Sequence, residues 1–207
     1  QPEIWEKTHK FMFLSAFFIH RLTGNFVDSV GSTVGYMPFN YKKQRWCNPG
    51  EMNTKMFPIE MEKLVELVKP SELLGYITNA ASVQTGLPEG LPVIAAAADK
   101  ACEVLGSGCI TPEIACLSYG TTATIETVNP KYVEVIKFFP SYPSAIPNHY
   151  NTEVMIYRGF WMINWFKKEF GHKEVELAKQ LGKSAEELFD EMISTIPPGA
   201  MGLTLQP

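Results

Sequence analysis

Apolar positions follow a helical period in some segments of the chain and form short β-rich runs in others, which predicts a mixed α/β protein. Apolar residues recur at helical spacing over 4–22, so this segment is predicted to be one long helix, buried on most of its surface. The amphipathic segment 59–68 is predicted to be a second helix. Further helices are expected at 78–85, 100–105, 160–170, 173–181 and 184–193, the last opened by a capping box from Ser184 to Glu187.

Short apolar or β-branched runs predict the strands. They lie at 26–27, 75–77, 91–94, 114–117, 122–128, 132–138 and 153–157. Asp28 and Ser29 precede a brief helix that ends at 34, and Asp28 is expected to cap it. A change of composition near 109–113 indicates a boundary between two α/β halves, 1–110 and 111–207.

The stretch 91–122 carries the candidate chemistry. Its opening apolar run suits a buried strand, four alanines follow, and Asp99 lies where a helical pattern begins. Proteins of α/β type bind ligands at the carboxyl ends of their strands. Farther on, Gly120, Thr121 and Thr122 form a turn whose backbone N–H groups and hydroxyls suit an anion. This pattern favours a base facing a phosphate, although an Asp99 helix cap and a plain Gly-Thr turn remain the structural alternatives.

Composition narrows the class of protein further. The 207 residues are 45% hydrophobic and 19% charged, and the net charge of −4 leaves no basic footprint for nucleic acid. The longest apolar run, 11–19, is interrupted by Ser15 and is too short to cross a bilayer. The N-terminus has no signal-peptide pattern, and the four cysteines show no CxxC pairing. A cytoplasmic protein with free thiols and without membrane or nucleic-acid partners is therefore expected.

The same residues carry a resemblance to a known family. A strand, a small-residue turn, an acid, a glycine-closed helix and a Gly-Thr turn occur in order at Gly90-Leu91-Pro92-Val93, Asp99, Gly106, Gly108 and Gly120-Thr121-Thr122. Further matches are Arg21-Leu22-Thr23-Gly24, Asp28, Trp46, Thr85-Gly86-Leu87, Gly159 through Trp165, and Pro198-Gly199-Ala200-Met201-Gly202-Leu203. Their order and spacing resemble the FGGY carbohydrate kinases, which include xylulokinase and glycerol kinase.

The resemblance implies a ribonuclease H-like, actin-like ATPase fold. Residues 1–110 would be the C-terminal part of the first, sugar-side domain, and 111–207 the N-terminal part of the second, nucleotide-side domain. The chain would thus be the middle piece of a longer protein and inactive alone. The implied reaction is phosphorylation of a ketose or polyol, xylulose-like by expectation, with ATP and Mg²⁺.

Site residues follow from the resemblance. Asp99 matches the family's catalytic aspartate and is a candidate sugar contact. Gly120, Thr121 and Thr122 match the turn that contacts nucleotide phosphates, and Gly159 aligns with a segment on the nucleotide side. The partners would be a small sugar and ATP, with a homodimer left open.

Two departures from the family pattern are visible. Ala95–Ala98 occupy positions where many members have glycines, and Lys100 stands where a glutamine commonly helps to hold the polyol. Lys100 is therefore a candidate substrate ligand that suits a more oxidised or anionic sugar, or alternatively a phosphate oxygen. An ion pair from Lys100 to Asp99 would instead favour a non-catalytic sugar-sensing protein with the kinase fold.

Overall fold

The computed structural model describes residues 2–204 and has the predicted mixed α/β composition. The helices are α1 (Pro2–Lys7), α2 (Leu14–Thr23), α3 (Met52–Met56), α4 (Asn79–Thr85), α5 (Asp99–Gly106), α6 (Trp161–Glu169), α7 (His172–Leu181) and α8 (Ala185–Ile193). The strands are β1 (Val27–Ser29), β2 (Phe39–Asn40), β3 (Arg45–Trp46), β4 (Glu66–Val68), β5 (Leu73–Tyr76), β6 (Pro92–Ile94), β7 (Ala115–Tyr119), β8 (Ala123–Asn129), β9 (Tyr142–Pro143) and β10 (Tyr150–Ile156).

The chain divides into two compact units. One comprises the chain up to Leu117 together with Ile125–Val154, and the other comprises Ser118–Thr124 together with the chain from Met155 onward. Strand β1 pairs with β4 in parallel, whereas β2 with β3 and β5 with β6 are antiparallel pairs. The largest sheet has the order β7-β8-β10-β9. The boundary predicted between 110 and 111 stays a prediction.

Helix ends that have local capping signals lie where the sequence predicts them. The Thr78 hydroxyl accepts a hydrogen bond from the Ala81 N–H and opens α4, and Gly86 ends that helix with a left-handed φ of 78°. The Ser184 hydroxyl accepts from the Glu187 N–H at the start of α8. These ends are set by neighbouring residues alone, which is why a pattern in the sequence identifies them.

Two helix predictions are wrong for the same reason. The segment 4–22 is not one helix, because Phe11 leaves the helical path and forms a parallel bridge to Leu64 between α1 and α2. The segment 59–68 contains only a short 3-10 turn, Met61–Lys63, before β4 pairs with β1. Distant strand pairing satisfies these backbone groups, and it overrides the helical period of the side chains.

The burial of α2 and the conformation of the segment 132–138 also differ from the predictions. Helix α2 is not buried on most of its surface, because Leu14, Phe17 and Phe18 are exposed. The segment 132–138 forms no strand within the described residues, and Phe138 adopts a positive φ of 70° that strands do not use. The residues of this segment favour β structure, but among the described residues they pair with no neighbouring strand, so the segment forms turns and bends.

Small apolar clusters hold each unit together. In the first unit, Val104 on α5 packs with Cys109, Cys116 and Val128. In the second unit, Ala178, Ala185 and Leu188 join α7 to α8. Over residues 2–204, no helix combines the length and the apolarity needed to pass through a bilayer.

The Val104 cluster gives a stability prediction. Val104 is 0% exposed, so Val104→Ala leaves a cavity and should lower the free energy of unfolding by about 1–3 kcal/mol. Val83 on α4 is 80% exposed, and Val83→Ala is the matched control with an expected change below about 0.5 kcal/mol. Urea unfolding measures both, and equal losses in the two variants would contradict the cluster as a core.

Candidate functional site

Asp99 is exposed at the first position of α5, directly after β6 and the turn 95–98. The N-cap residue is Ala98 and not Asp99, and the Asp99 Oδ1 atom accepts a hydrogen bond of 2.7 Å from the Lys100 N–H. A carboxylate at this end of a helix is stabilised by the helix dipole. The solvent-accessible carboxylate of Asp99 thus lies after a strand and at the start of a helix, where the sequence predicts the base.

The turn before Asp99 is held by a contact between main chains. The Ala98 N–H donates to the Gly31 carbonyl over 2.9 Å. A Cβ atom added to Gly31 would lie 2.7 Å from the Ala97 Cβ atom, so only glycine allows this approach. Gly31 and the small residues 95–98 therefore set the position of α5. A larger side chain at Gly31 or in the turn would push these two segments apart.

Asp28 is buried beside this contact rather than capping a helix. Its Oδ2 atom accepts from the Ser15 hydroxyl over 2.6 Å, and its Oδ1 atom accepts from the Ser29 N–H. The prediction that Asp28 caps the brief helix is wrong, since the Ser29 hydroxyl accepts from the Gly31 N–H at that place. Burial raises the pKa of Asp28, and the hydrogen bonds oppose that shift.

Lys100 has acidic neighbours on its own helix and on the sheet. Its Nζ atom donates to the Glu103 carboxylate over 2.6 Å. The ammonium also interacts electrostatically with Glu126 on β8 and Glu153 on β10. The pairing with Glu103 raises the pKa of Lys100, so the side chain carries its full charge at neutral pH.

Glu126 is an unusual residue for a strand interior. It is 2% exposed, and its Oε1 atom has no hydrogen-bond partner among the described residues. Burial and the nearby Glu153 carboxylate raise the pKa of Glu126 to about 7, although Lys100 and the Asn151 side chain act in the opposite direction. Burial also raises the pKa of Glu153.

The second unit brings the predicted nucleotide-side residues together. The Gly159 N–H donates to the Thr121 carbonyl over 2.8 Å, and the Phe160 N–H donates to the Gly120 carbonyl over 2.9 Å. A Cβ atom on Gly159 would lie 2.4 Å from the Thr122 carbonyl carbon. Glycine is therefore required at 159 for the main chain to approach the turn 120–122.

A cavity of about 370 Å³ lies beside this turn. Gly120 and Thr121 line it together with Asn164 on α6 and Glu186 on α8. The Glu186 carboxylate accepts from the Lys167 Nζ atom, so its charge is balanced within the unit. In the sequence Asn164 is only one residue of the match from Gly159 through Trp165, and Glu186 carries no signal, because the place of each depends on how α6 and α8 fold against the turn.

These arrangements place the residues without testing their roles. Asp99 and Lys100 belong to the first unit, whereas Gly120, Thr121, Thr122 and Gly159 belong to the second, and each group is described within its own unit. Catalysis by Asp99, sugar binding by Asp99 and Lys100, and nucleotide binding by the four residues of the second unit stay predictions.

Comparison with known proteins decides the family. The model of the FGGY family of carbohydrate kinases, N-terminal domain, matches residues 1–106. The chain belongs to this family. An uncharacterised sugar kinase of Escherichia coli K12, YgcE, is 32% identical over 91% of the chain and 38% of its own length. The xylulose kinase of Lactococcus lactis is 27% identical over 100% of the chain and 39% of its own length.

Solved structures agree on the fold of this FGGY family chain. The xylulose kinase of Rhodospirillum rubrum superposes with a TM-score of 0.78, at 20% identity, over 100% of the chain and 40% of its own length. The fold is therefore the ribonuclease H-like, actin-like ATPase fold that the resemblance implies. The FGGY chain spans about two fifths of the length of the curated relatives that it matches.

The raised pKa of Glu126 gives a prediction for this FGGY family chain. A carboxyl whose pKa is about 7 when folded and 4.5 as a free group stabilises the fold below about pH 4.5, and that contribution is lost as the pH rises to about 7. The glutamine in Glu126→Gln stays neutral over this range. As the pH rises, the free energy of unfolding should therefore fall less in Glu126→Gln than in the wild type, by about 1–3 kcal/mol.

Urea unfolding at pH 5 and pH 8 measures this difference. Glu66→Gln on β4 is the matched control, because Glu66 is an exposed strand glutamate, and it should keep the pH dependence of the wild type. The same loss of stability in the wild type and in Glu126→Gln would show that Glu126 is charged throughout the range.

Proposed function

We propose that the protein is an ATP-dependent carbohydrate kinase that transfers the γ-phosphate of ATP to a hydroxyl of a ketose or polyol. The observation that carries this proposal is the exposed Asp99 carboxylate at the start of α5, in a chain that belongs to the FGGY family. A xylulose-like sugar is the first substrate to test, since a relative at 27% identity is a xylulose kinase. The proposed location is the cytoplasm.

Asp99 is the proposed general base. The sugar hydroxyl would give its proton to the Asp99 carboxylate as its oxygen bonds to the γ-phosphorus, while the bond from that phosphorus to the β-phosphate oxygen breaks and ADP leaves. The alanine side chains before Asp99 leave room for the sugar to approach. The Lys100 N–H keeps one carboxylate oxygen oriented, because it donates to Oδ1.

The turn Gly120-Thr121-Thr122, with Gly159 against it, is the proposed contact for nucleotide phosphates. The Gly120 N–H already donates to the Thr122 carbonyl over 2.8 Å. The side chain of Thr121, which is exposed next to the cavity, is therefore the group proposed to reach a phosphate oxygen. Within residues 2–204, no group of three or more His, Cys, Asp or Glu side chains could hold a metal ion. Mg²⁺ would arrive on the nucleotide, since Mg²⁺ is usually held by phosphates and one or two carboxylates. Bound Mg²⁺ would neutralise phosphate charge.

The base assignment predicts the behaviour of Asp99→Asn. Asparagine keeps the shape but cannot accept the hydroxyl proton, so kcat for sugar-dependent ADP release should fall by about 100-fold or more. The assay uses the complete polypeptide that contains these residues, with ATP, Mg²⁺ and a panel of ketoses and polyols. Unchanged turnover would refute the base. Sugar binding by calorimetry in the wild type, without nucleotide binding or turnover, would favour the sugar-sensing alternative.

The nucleotide assignment predicts the behaviour of Gly159→Ala. The added Cβ atom meets the Thr122 main chain, so the turn must move, and KM for ATP should rise by about 10-fold while KM for sugar changes little. Gly106→Ala is the control, because a Cβ atom at Gly106 meets nothing within 4 Å. An unchanged KM for ATP in Gly159→Ala, with the protein folded, would remove this turn from the nucleotide site.

A further inference from the structure

We propose that Ser29 is a positioning residue for the proposed base: its buried hydroxyl ties the turn 95–98 to the end of β1 and so fixes the main chain from which Asp99 projects. This inference rests on the proposed function, because it gives Ser29 a role in placing Asp99. Ser29 is 2% exposed, so it acts through the turn and not by contact with the sugar.

The first step is the pair of hydrogen bonds that the Ser29 hydroxyl makes. The hydroxyl accepts from the Gly31 N–H over 3.1 Å, which caps the 3-10 turn Val30–Ser32. It also donates to the Ala96 carbonyl over 2.5 Å, across a sequence separation of 67 residues. A serine hydroxyl has one donor and two acceptor sites, so the cap leaves its donor available for the second contact. One side chain therefore joins the end of β1 to the turn before α5.

The second step is the way in which the turn 95–98 is held. Its four alanine side chains carry no polar group, so the turn can form hydrogen bonds only through its main chain. At its end, the Ala98 N–H donates to the Gly31 carbonyl over 2.9 Å. In its middle, the Ala96 carbonyl accepts from the Ser29 hydroxyl. The turn is thus docked on the segment after β1 at two points, and one of these points depends on a side chain.

The third step is the short length of chain between this contact and the proposed base. Ala96 lies three residues before Asp99, and Ala98 is the N-cap residue of α5. Without the Ser29 hydroxyl, the buried Gly31 N–H loses its partner, and the carbonyl of the exposed Ala96 can bond to water instead. The turn can then move away from β1. A shift of about 1 Å in a reacting group can lower a rate by as much as about 100-fold.

Ser29→Ala in the complete polypeptide tests the inference. The variant removes the hydroxyl alone, so kcat for sugar-dependent ADP release should fall by about 10-fold or more, while KM for ATP stays within about 3-fold.

Ser29→Thr and Ser29→Val test the hydroxyl at constant side-chain shape. Threonine and valine have nearly the same shape, and only threonine has a hydroxyl. Ser29→Thr should therefore keep a kcat several-fold above that of Ser29→Val. Equal kcat values in these two variants would overturn the inference, and the pair also decides the question if Ser29→Ala is insoluble.

Ser141→Ala is the matched control for a purely structural role. Ser141 is also 2% exposed, and its hydroxyl also makes two hydrogen bonds, to the Val133 carbonyl and with the Thr152 hydroxyl. Both alanine variants should unfold at a lower temperature than the wild type, but only Ser29→Ala should lose kcat. The same loss of kcat in Ser141→Ala would show that Ser29 acts through stability alone and would overturn the inference.

Hydrogen exchange of the Ala98 amide separates this inference from the proposed function. That amide donates to the Gly31 carbonyl, so its exchange rate measures how firmly the turn is docked. The exchange should be about 10-fold faster in Ser29→Ala than in Ser141→Ala. A wild-type protein that turns over no sugar would refute the kinase assignment, and the exchange rates would still decide whether Ser29 docks the turn. Equal exchange in the two variants would overturn the role of Ser29, whatever the activity.

Discussion

The first unit depends on a contact that leaves no room for side chains. Gly31 and the alanine turn 95–98 touch through main-chain atoms and one methyl group, with the Ala98 N–H bonded to the Gly31 carbonyl. This contact fixes where β6 ends and α5 begins. Since Asp99 is the first residue of α5, the absence of a side chain at Gly31 sets the place of the proposed base, and the Lys100 N–H then orients its carboxylate.

The same kind of constraint recurs in the second unit. Gly159 lies against the main chain of Thr122 at a distance that excludes a Cβ atom, and its N–H bonds to the Thr121 carbonyl. The start of α6 is therefore connected to the turn that is proposed to contact phosphate. In both units, a glycine allows two backbone segments to meet at the place where a ligand would approach, and close packing supplies the rigidity.

Local signals in the sequence predicted part of this structure and could not predict the rest. The caps at Thr78 and Ser184 depend on residues three positions away, so the sequence shows them directly. Asp99 after a strand and a small-residue turn was also visible. The pairing of β1 with β4 was not, because a side-chain period cannot reveal a partner strand far along the chain. Burial of Asp28 and Glu126 likewise depends on packing from distant segments.

Lys100 shows that a single departure from a family pattern is ambiguous when only the sequence is known. As an isolated change beside the proposed base, it suggested either an altered sugar or an inactivated acid. In the structure its ammonium bonds to Glu103, one turn farther along α5. The positive charge of Lys100 lowers the pKa of both strand carboxyls, whereas burial raises it. Lys100 is therefore one cation among three acids on α5, β8 and β10, a setting that depends on distant segments of the chain and that the sequence alone does not reveal.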